Sequence, residues 1–405
     1  MGNIESKNNR ISRSDIGNYI IMVAIFVITT LEWHDYGLYQ ASTRYGTLIT
    51  FVALAGVFLC YVDLKDAIKD KFFWVMVATD LVAFINLLVI HSNKGCILVV
   101  ADMMLILYLA DKVEFTRRQS FITLAYVAFF FFYWTIDVKG YFKGYNTNYG
   151  GLILITGFAF LFVILQVVTD KLMFEYGQYV GEYDKSLGKR YWIKRYWWYI
   201  PLYLFLIALA FNIISWYRSR TALMGLIALL VISLMPRRVL ANKSMYTLIT
   251  ILSTFGAILV SLLYILLGKL SSGDGIQLFY KSVISGRNEI WSELWNAYLA
   301  QPITGIGSSY KMKLDFMEGM LEAHSAMMDI LIVHGLLVFI PLCVMFIIRI
   351  LGMREQTGNS AVGKIIFAAL VCILITGFFE NYYIVQPFSL ILLSLFAIKA
   401  DKIGL

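Results

Sequence analysis

Two arginines and one histidine are the residues of this sequence best suited to chemistry. Arg220 immediately precedes an apolar run, Arg287 lies within a Ser-Gly-Arg sequence, and His324 stands where a long polar segment returns to apolar sequence. Arginine binds phosphate oxygens through two parallel hydrogen bonds and stays charged at any physiological pH. A neutral imidazole accepts a proton from a hydroxyl group. Together these residue types suit the transfer of a group from a phosphate-linked donor to a hydroxyl group.

Each of these residues also has an ordinary structural interpretation. An arginine beside a membrane can simply contact lipid headgroups, and a lone histidine at a helix start can serve as a cap. Arg218 adds a third guanidinium two residues before Arg220. We expect the positive end of a helix dipole and the nearby arginines to oppose protonation of His324, so that its imidazole is neutral at pH 7.

The composition identifies the setting of these residues as a membrane. Of the 405 residues, 60% are hydrophobic and 15% are charged, and the mean hydropathy is +0.73. A soluble protein carries roughly a quarter charged residues. The apolar residues fall in runs of about 15 to 23, which suits helices that cross a hydrocarbon core roughly 30 Å thick. We therefore predict an all-α polytopic integral membrane protein.

The apolar runs predict about twelve transmembrane helices in a single transmembrane domain over residues 1–405. The predicted spans are 17–32, 46–62, 72–91, 95–110, 120–136, 150–168, 197–216, 221–235, 246–268, 327–348, 365–379 and 385–399. One large polar loop, 269–326, separates spans nine and ten. Arg287 and His324 both lie in this loop.

The distribution of basic residues predicts the orientation. With the N-terminus in the cytoplasm, most of the 34 Lys and Arg residues fall in cytoplasmic connections, as the positive-inside rule requires. Both termini are then cytoplasmic, and the loop 269–326 is extracytoplasmic. The net charge of +8 is explained by this topology and by contact with anionic membrane lipids, so that no nucleic acid partner is indicated. Because ATP is absent on the outer face, any reaction there needs an energised substrate.

Further patterns concern the loop and the residues outside it. Ile290, Trp291, Leu294, Trp295 and Tyr298 recur at helical spacing and predict an amphipathic helix from about 285 to 300. The acidic residues of the loop show no metal-ligand spacing, and the four cysteines show neither a disulfide nor a metal pattern, so that neither a metal nor another cofactor is predicted. Glu380 ends the eleventh span on the same side as the loop, where it either faces the same cavity and binds substrate or is solvated at the helix end.

The chain resembles the bacterial superfamily of O-antigen polymerases and O-antigen ligases. The resemblance is carried by motifs in roughly residues 215–345: Ser219-Arg220-Thr221, Ser285-Gly286-Arg287 with Trp291, Pro302 with Gly305 and Gly307, and Ala323-His324-Ser325 followed by a helix containing Gly335. One departure is Ser325, which stands where many members have asparagine, so that a hydrogen bond of that asparagine would fall to the serine hydroxyl. Arg218 has less motif support than Arg220.

This resemblance implies a GT-C-like, inverting and metal-independent glycosyltransferase in the bacterial cytoplasmic (inner) membrane. Donor and acceptor would be glycans linked to undecaprenyl pyrophosphate, with a flippase and a chain-length regulator as further partners. Arg220 and Arg287 would hold the pyrophosphate, with Arg218 and Ser325 as further substrate-binding residues. His324 would act as the base on the acceptor hydroxyl or orient it.

Three functions are compatible with these features. The first is a polymerase of capsule or O-antigen repeat units, and the second is a ligase that attaches finished glycan to lipid A core or to protein. The third is a flippase or transporter of lipid-linked sugar, which would be expected to show internal repeats that this sequence lacks. A polymerase of the peptidoglycan type would instead rely on a catalytic acid in the loop.

Overall fold

The computed structural model describes a helical chain. It covers residues 12–34, 36–90, 94–137, 147–183, 199–270, 277–278, 281–282, 286–314, 323–385 and 387–403. The helices are α1 (Arg13–His34), α2 (Tyr36–Tyr61), α3 (Leu64–Ala67), α4 (Lys71–Ile90), α5 (Lys94–Leu109), α6 (Arg117–Asp137), α7 (Thr147–Tyr183), α8 (Tyr199–Tyr217), α9 (Arg220–Leu234), α10 (Arg237–Ala241), α11 (Lys243–Leu270), α12 (Arg287–Ala300), α13 (Ala326–Gly352), α14 (Arg354–Asn359), α15 (Ala361–Thr376), α16 (Phe388–Ala397) and α17 (Ala400–Ile403). Two short strands, β1 (Gln277–Leu278) and β2 (Lys281–Ser282), pair antiparallel between α11 and α12.

Each of the twelve predicted spans overlaps a helix, although several extend a few residues beyond it. Six regions are long and apolar enough to cross a membrane: Arg13–Thr30, Lys71–Val89, Gly150–Leu172, Tyr199–Tyr217, Lys243–Leu270 and Ala326–Asn359. The remaining spans fall on helices whose apolar part is shorter or, in α6, less apolar. The helical architecture is therefore confirmed, with six candidate membrane spans among the described residues, whereas the count of twelve crossings and the large loop stay predictions.

The burial pattern separates central helices from lipid-facing ones. All ten residues of α16 are buried, as are most residues of α15, which packs against α7, α9 and α11. Helix α8 instead carries Leu204 and Phe205, which are 61% and 63% exposed. A helix that is apolar all round belongs either in a core or in lipid, so that the exposed apolar side chains of α8 suit contact with acyl chains.

Helix α13 is broken in its middle at Gly335, which has φ 72° and ψ −178°. The segment 301–307 that follows α12 fills this break. Four backbone hydrogen bonds join the two, with 2.8, 3.1, 2.9 and 3.3 Å between the paired atoms: Ile306 N to Ile332 O, Gly307 N to Val333 O, Leu336 N to Pro302 O and Leu337 N to Ile303 O. Asn86 of α4 donates to the carbonyl groups of Thr304 and His334 at the same place. Irregular backbone inside an apolar bundle is tolerated where protein groups satisfy it in this way.

We expect Gly335→Ala to destabilise the protein more than any alanine substitution at an ordinary helical glycine. Its backbone conformation is accessible to glycine almost exclusively, and an added Cβ would overlap the carbonyl oxygen of Ile303. The loss in the free energy of unfolding is at least about 1 kcal/mol, since backbone strain of this kind alone costs about 1–3 kcal/mol. Thermal unfolding in detergent measures it. Gly352→Ala on the same helix is the matched control, since its Cβ would meet nothing within 4 Å; equal melting temperatures for the two variants would contradict the account.

Candidate active site

Arg287 is the first residue of α12 and is buried. Gly286 before it adopts a left-handed conformation (φ 77°) and begins the helix, which directs the chain sharply into α12. The guanidinium Nη2 donates to Glu380 Oε1 at 2.9 Å and to the carbonyl oxygen of Phe379 at 3.0 Å. Its Cζ lies 5.8 Å from the centre of the Phe379 ring. Nε of the same side chain is buried and has no hydrogen-bond partner among the described residues.

The apolar face of α12 holds Arg287 in place. Ile290, Trp291, Leu294 and Tyr298 are buried and Trp295 is partly buried, which confirms the amphipathic helix predicted from their spacing. The Trp291 ring lies 5.1 Å from that of Tyr264 on α11, centre to centre. The helix thus packs by its apolar side onto the bundle and presents its N-terminus, with Arg287, to the end of α15.

His324 precedes the N-cap residue of α13, at the helix start that the sequence predicts. It adopts a left-handed conformation with φ 47°, which is uncommon for any residue other than glycine. Its Nδ1 lies 3.4 Å from Glu380 Oε2. Neighbouring backbone groups are fixed by other bonds, because Trp291 Nε1 donates to Ala323 O at 2.7 Å and Ser325 N donates to Asn381 Oδ1 at 2.8 Å. Backbone strain held by its surroundings in this way is characteristic of functional sites.

Glu380 joins the arginine to the histidine. Its two carboxylate oxygens face different partners, Oε1 facing Arg287 and Oε2 facing His324, and the residue is only 7% exposed. Of the two interpretations of the sequence, solvation at a helix end is therefore wrong, and the interpretation that places Glu380 in a shared site with the loop agrees with the structure. The Arg287–Glu380 ion pair is partly shielded from water. A charge-assisted hydrogen bond is stronger in such surroundings than at an exposed surface.

Arg220 is the second arginine that the sequence predicts for the site. It begins α9, one residue after Ser219, whose side chain caps the helix by accepting from Ala222 N. Its pKa is lowered, first by burial and next by the positive charge of Arg287, while Tyr264 and Glu380 act in the opposite direction. Arg220 therefore lies within electrostatic range of Arg287. A pair of neighbouring cations stabilised by one carboxylate is suited to an anion with more than one charge.

The structure gives Arg218 and Ser325 different surroundings from those two arginines. Arg218 is exposed and, like His324, has a left-handed backbone, with φ 53°. The hydroxyl group of Ser325 is buried and has no hydrogen-bond partner in the described part of the chain, so that it makes no bond in place of an asparagine there. Substrate binding by these two residues stays a prediction.

The acidic and sulfur-containing side chains offer little to a metal. Over the described residues, no group of three His, Cys, Asp or Glu side chains is placed to hold a metal ion. Cys60, Cys96, Cys343 and Cys372 carry free thiols. The site is instead built from guanidinium, carboxylate and imidazole groups.

Comparison with known families concerns the segment that supplies most of this site. Residues 203–343 match the family model of the O-antigen ligases. The chain carries an O-antigen ligase family domain. This confirms the resemblance to the O-antigen polymerase and ligase superfamily, whose members are glycosyltransferase-like enzymes. Neither the curated proteins nor the solved structures include a significant match to the chain.

The O-antigen ligase domain contains Arg220, Arg287 and His324, but it ends before Glu380. The carboxylate that connects the arginine to the histidine therefore comes from the following part of the chain. Spacing in the sequence singles out the first three residues, whereas the Glu380 contacts join positions 93 and 56 residues apart. Only its position at the same predicted end of the bundle pointed to Glu380.

We expect Trp291→Phe to lower the turnover of the folded protein, and not only the amount of protein that folds. Phenylalanine keeps the aromatic packing but loses the hydrogen bond to Ala323 O, a loss of about 1–3 kcal/mol because the buried acceptor is left unsatisfied. The strained backbone at His324 is then less well held. Product formation per folded protein measures the effect, with Trp295→Phe, a half-buried position on the same helix, as the control. Equal turnover in both variants would show that the bond does not position His324.

Proposed function

We propose that this protein is a surface polysaccharide polymerase of the bacterial cytoplasmic membrane. It joins oligosaccharide repeat units linked to undecaprenyl pyrophosphate, on the outer face of that membrane. The observation that carries the proposal is the buried Arg287–Glu380–His324 cluster beside Arg220, lying largely within an O-antigen ligase family domain. The predicted orientation supports a lipid-linked donor. Because no nucleotide is available on the outer face, the donor sugar must already be activated when it reaches the site.

Arg287 and Arg220 would bind the pyrophosphate of the donor. The two cations repel one another, and a pyrophosphate between them would relieve that repulsion. Arg287 keeps hydrogen-bonding capacity for it, because Nε has no partner among the described residues. Arginine also suits a leaving group of this type, since the charge that develops on the departing oxygens is stabilised by fixed donors.

His324 would act as the general base. A hydrogen bond from Nδ1–H to Glu380 leaves the lone pair of the neutral ring on Nε2, which can then accept a proton. The acceptor sugar oxygen forms a bond to the anomeric carbon of the donor while the bond from that carbon to the pyrophosphate oxygen breaks. The hydroxyl proton passes to Nε2, and the pyrophosphate carries away the electron pair. Attack opposite to the leaving group inverts the anomeric configuration, and no metal takes part.

Replacement of His324 by alanine tests this role separately from donor binding. We expect His324→Ala to lose turnover by a factor of about 100 or more while it retains affinity for the lipid-linked donor, because general-base catalysis contributes about 100- to 10,000-fold. Single-turnover kinetics together with a donor-binding titration separate the two effects. Normal turnover in this variant would exclude the general-base role.

A ligase is the second candidate function, favoured by the name of the family whose model matches. The two functions use the same donor and differ in the acceptor, which is another lipid-linked unit for a polymerase and lipid A core or protein for a ligase. Purified protein supplied with lipid-linked repeat units alone distinguishes them. We expect a ladder of elongated lipid-linked products; elongation that is absent until lipid A core or an acceptor protein is added would favour the ligase.

A further inference from the structure

A groove with a mixed polar and apolar lining runs along the face of α12 that points away from the bundle. It has a volume of about 880 Å³ and lies between α12, the end of α11 and the segment 306–314. The lining residues of α12 recur at helical spacing, so that they form one stripe from the first turn to the last: Asn288 and Glu289, Ser292 and Glu293, Asn296 and Ala297, and Ala300. Gln301, which directly follows the helix, lines the same groove. A 14-residue helix is about 20 Å long, which makes the groove elongated.

The chemistry of the lining suits a neutral polyhydroxylated ligand. Carboxylates, amides and a hydroxyl group alternate along α12 and offer both donors and acceptors. The charges of the lining residues are balanced, because the lining contains two lysines, Lys269 and Lys313, and two glutamates, Glu289 and Glu293. An anion such as a phosphate has no net positive charge to attract it here. Ile265 and Ile306 add apolar surface against which the C–H faces of sugar rings can pack.

One wall of the groove is held in place by Glu293. Its Oε1 accepts from Lys313 N at 2.7 Å and from the Tyr310 hydroxyl at 3.1 Å. These bonds attach the segment 310–313 to α12 and fix the half-buried Tyr310 ring on the groove. A fixed aromatic ring is a platform of large apolar area with little conformational freedom to lose on binding. The groove is thus a formed feature of the structure and more than the solvated side of an amphipathic helix.

The groove begins beside the cluster that would bind pyrophosphate. Asn288 lines it and directly follows Arg287 in α12. We infer that the groove binds the oligosaccharide part of a lipid-linked glycan, extending along α12 while the reacting end lies near Arg287. This inference rests on the proposed function for the identity of the glycan. It assigns to α12 two roles, a pyrophosphate contact at its N-terminus and a sugar-binding surface along its polar side.

Binding of the repeat-unit oligosaccharide, freed of its pyrophosphate and lipid, tests the inference. Isothermal titration into the purified full-length protein measures affinity without any transfer reaction. We expect the same affinity for the wild type and for Arg238→Ala, an exposed position in α10 away from the groove, and a loss of at least about tenfold for Asn296→Trp, which fills the groove from an exposed position. No change of affinity in Asn296→Trp, or no binding by the wild type, would overturn the inference.

A second variant covers the case in which Asn296→Trp does not fold. Asn296→Ala combined with Gln301→Ala removes two exposed amide groups and adds no bulk, and we expect a several-fold loss of affinity. Unchanged affinity in this double variant would equally reject the groove as the binding site. A protein that binds the free oligosaccharide but never elongates lipid-linked units would contradict the polymerase proposal alone, so that the two failures are distinguishable.

Discussion

Cells whose only copy of this protein carries Arg287→Ala are expected to lose long-chain surface polysaccharide completely. The substitution removes a buried guanidinium that holds Glu380 and, in our proposal, the departing pyrophosphate. Arg220→Ala is expected to have the same effect, in this case only because one of the two arginines that would bind the pyrophosphate is lost. Arg287→Lys keeps the positive charge but loses the planar pair of donors, and we expect it to leave only a small residual activity. Electrophoresis of extracted polysaccharide measures chain length.

Protein level is the control for these arginine variants. Removing Arg287 leaves the Glu380 carboxylate buried without that cation, which costs about 3–5 kcal/mol and lowers the amount of folded protein. Arg220 is half-buried, so that we expect its alanine variant to destabilise the fold much less. Arg238→Ala, an exposed arginine in α10, is the matched substitution away from the site. A normal chain-length distribution in both Arg220→Ala and Arg287→Lys would reject the assignment of the arginines.

Glu380→Gln is expected to reduce turnover about 100-fold or more while the protein stays folded. Glutamine has nearly the same shape, so that it fills the same space in the cluster. It is uncharged, however, and holds both Arg287 and His324 less strongly. Glu380→Ala removes the bridge altogether, and we expect it to destabilise the protein by about 3–5 kcal/mol as well. Initial rates and thermal unfolding of the purified variants separate the two effects.

The control for Glu380 is Glu355→Gln, an exposed carboxylate in α14. It makes the same chemical change outside the cluster and should leave the rate unchanged. If Glu380→Gln turns over at the wild-type rate, the carboxylate neither orients His324 nor holds Arg287 in position for catalysis. The cluster would then be an element of the fold alone.

The sequence identifies the individual residues of this site better than their contacts. Arg287 and His324 are recognisable because each stands beside the start of an apolar or amphipathic helix, where local patterns are informative. The salt bridge from Arg287 to Glu380 joins α12 to the end of α15. No local sequence pattern predicts a contact between residues so far apart in the chain. His324 illustrates the same limit, since its position was expected whereas its left-handed backbone was not.

The break in α13 shows a second limit. Gly305 and Gly335 are both visible as motif glycines, but their contact requires each backbone to approach the other more closely than any Cβ would permit. Hydropathy predicts one continuous helix over this region, because the residues around Gly335 are uniformly apolar. The reciprocal hydrogen bonds with segment 301–307 decide the outcome in favour of a broken helix.

Helix α7 shows a difference of another kind. It continues to Tyr183, into the stretch 169–196 that the sequence predicts to be a cytoplasmic connection. This stretch begins with polar residues but contains no proline, and polar side chains at the end of an apolar helix do not stop it from extending. Hydropathy marks where a helix leaves an apolar environment, which is different from where the helix ends.

The most direct test of the central claim is the release of undecaprenyl pyrophosphate from lipid-linked repeat units by the purified protein. It reports the bond that breaks in the proposed reaction, whatever the acceptor. We expect wild-type protein to release the carrier in step with glycan elongation, and Arg220→Ala and Glu380→Gln to release almost none while remaining folded. Release at the wild-type rate by both variants, or elongation without release of the carrier, would contradict the assignment of Arg220, Arg287, Glu380 and His324 as the catalytic centre.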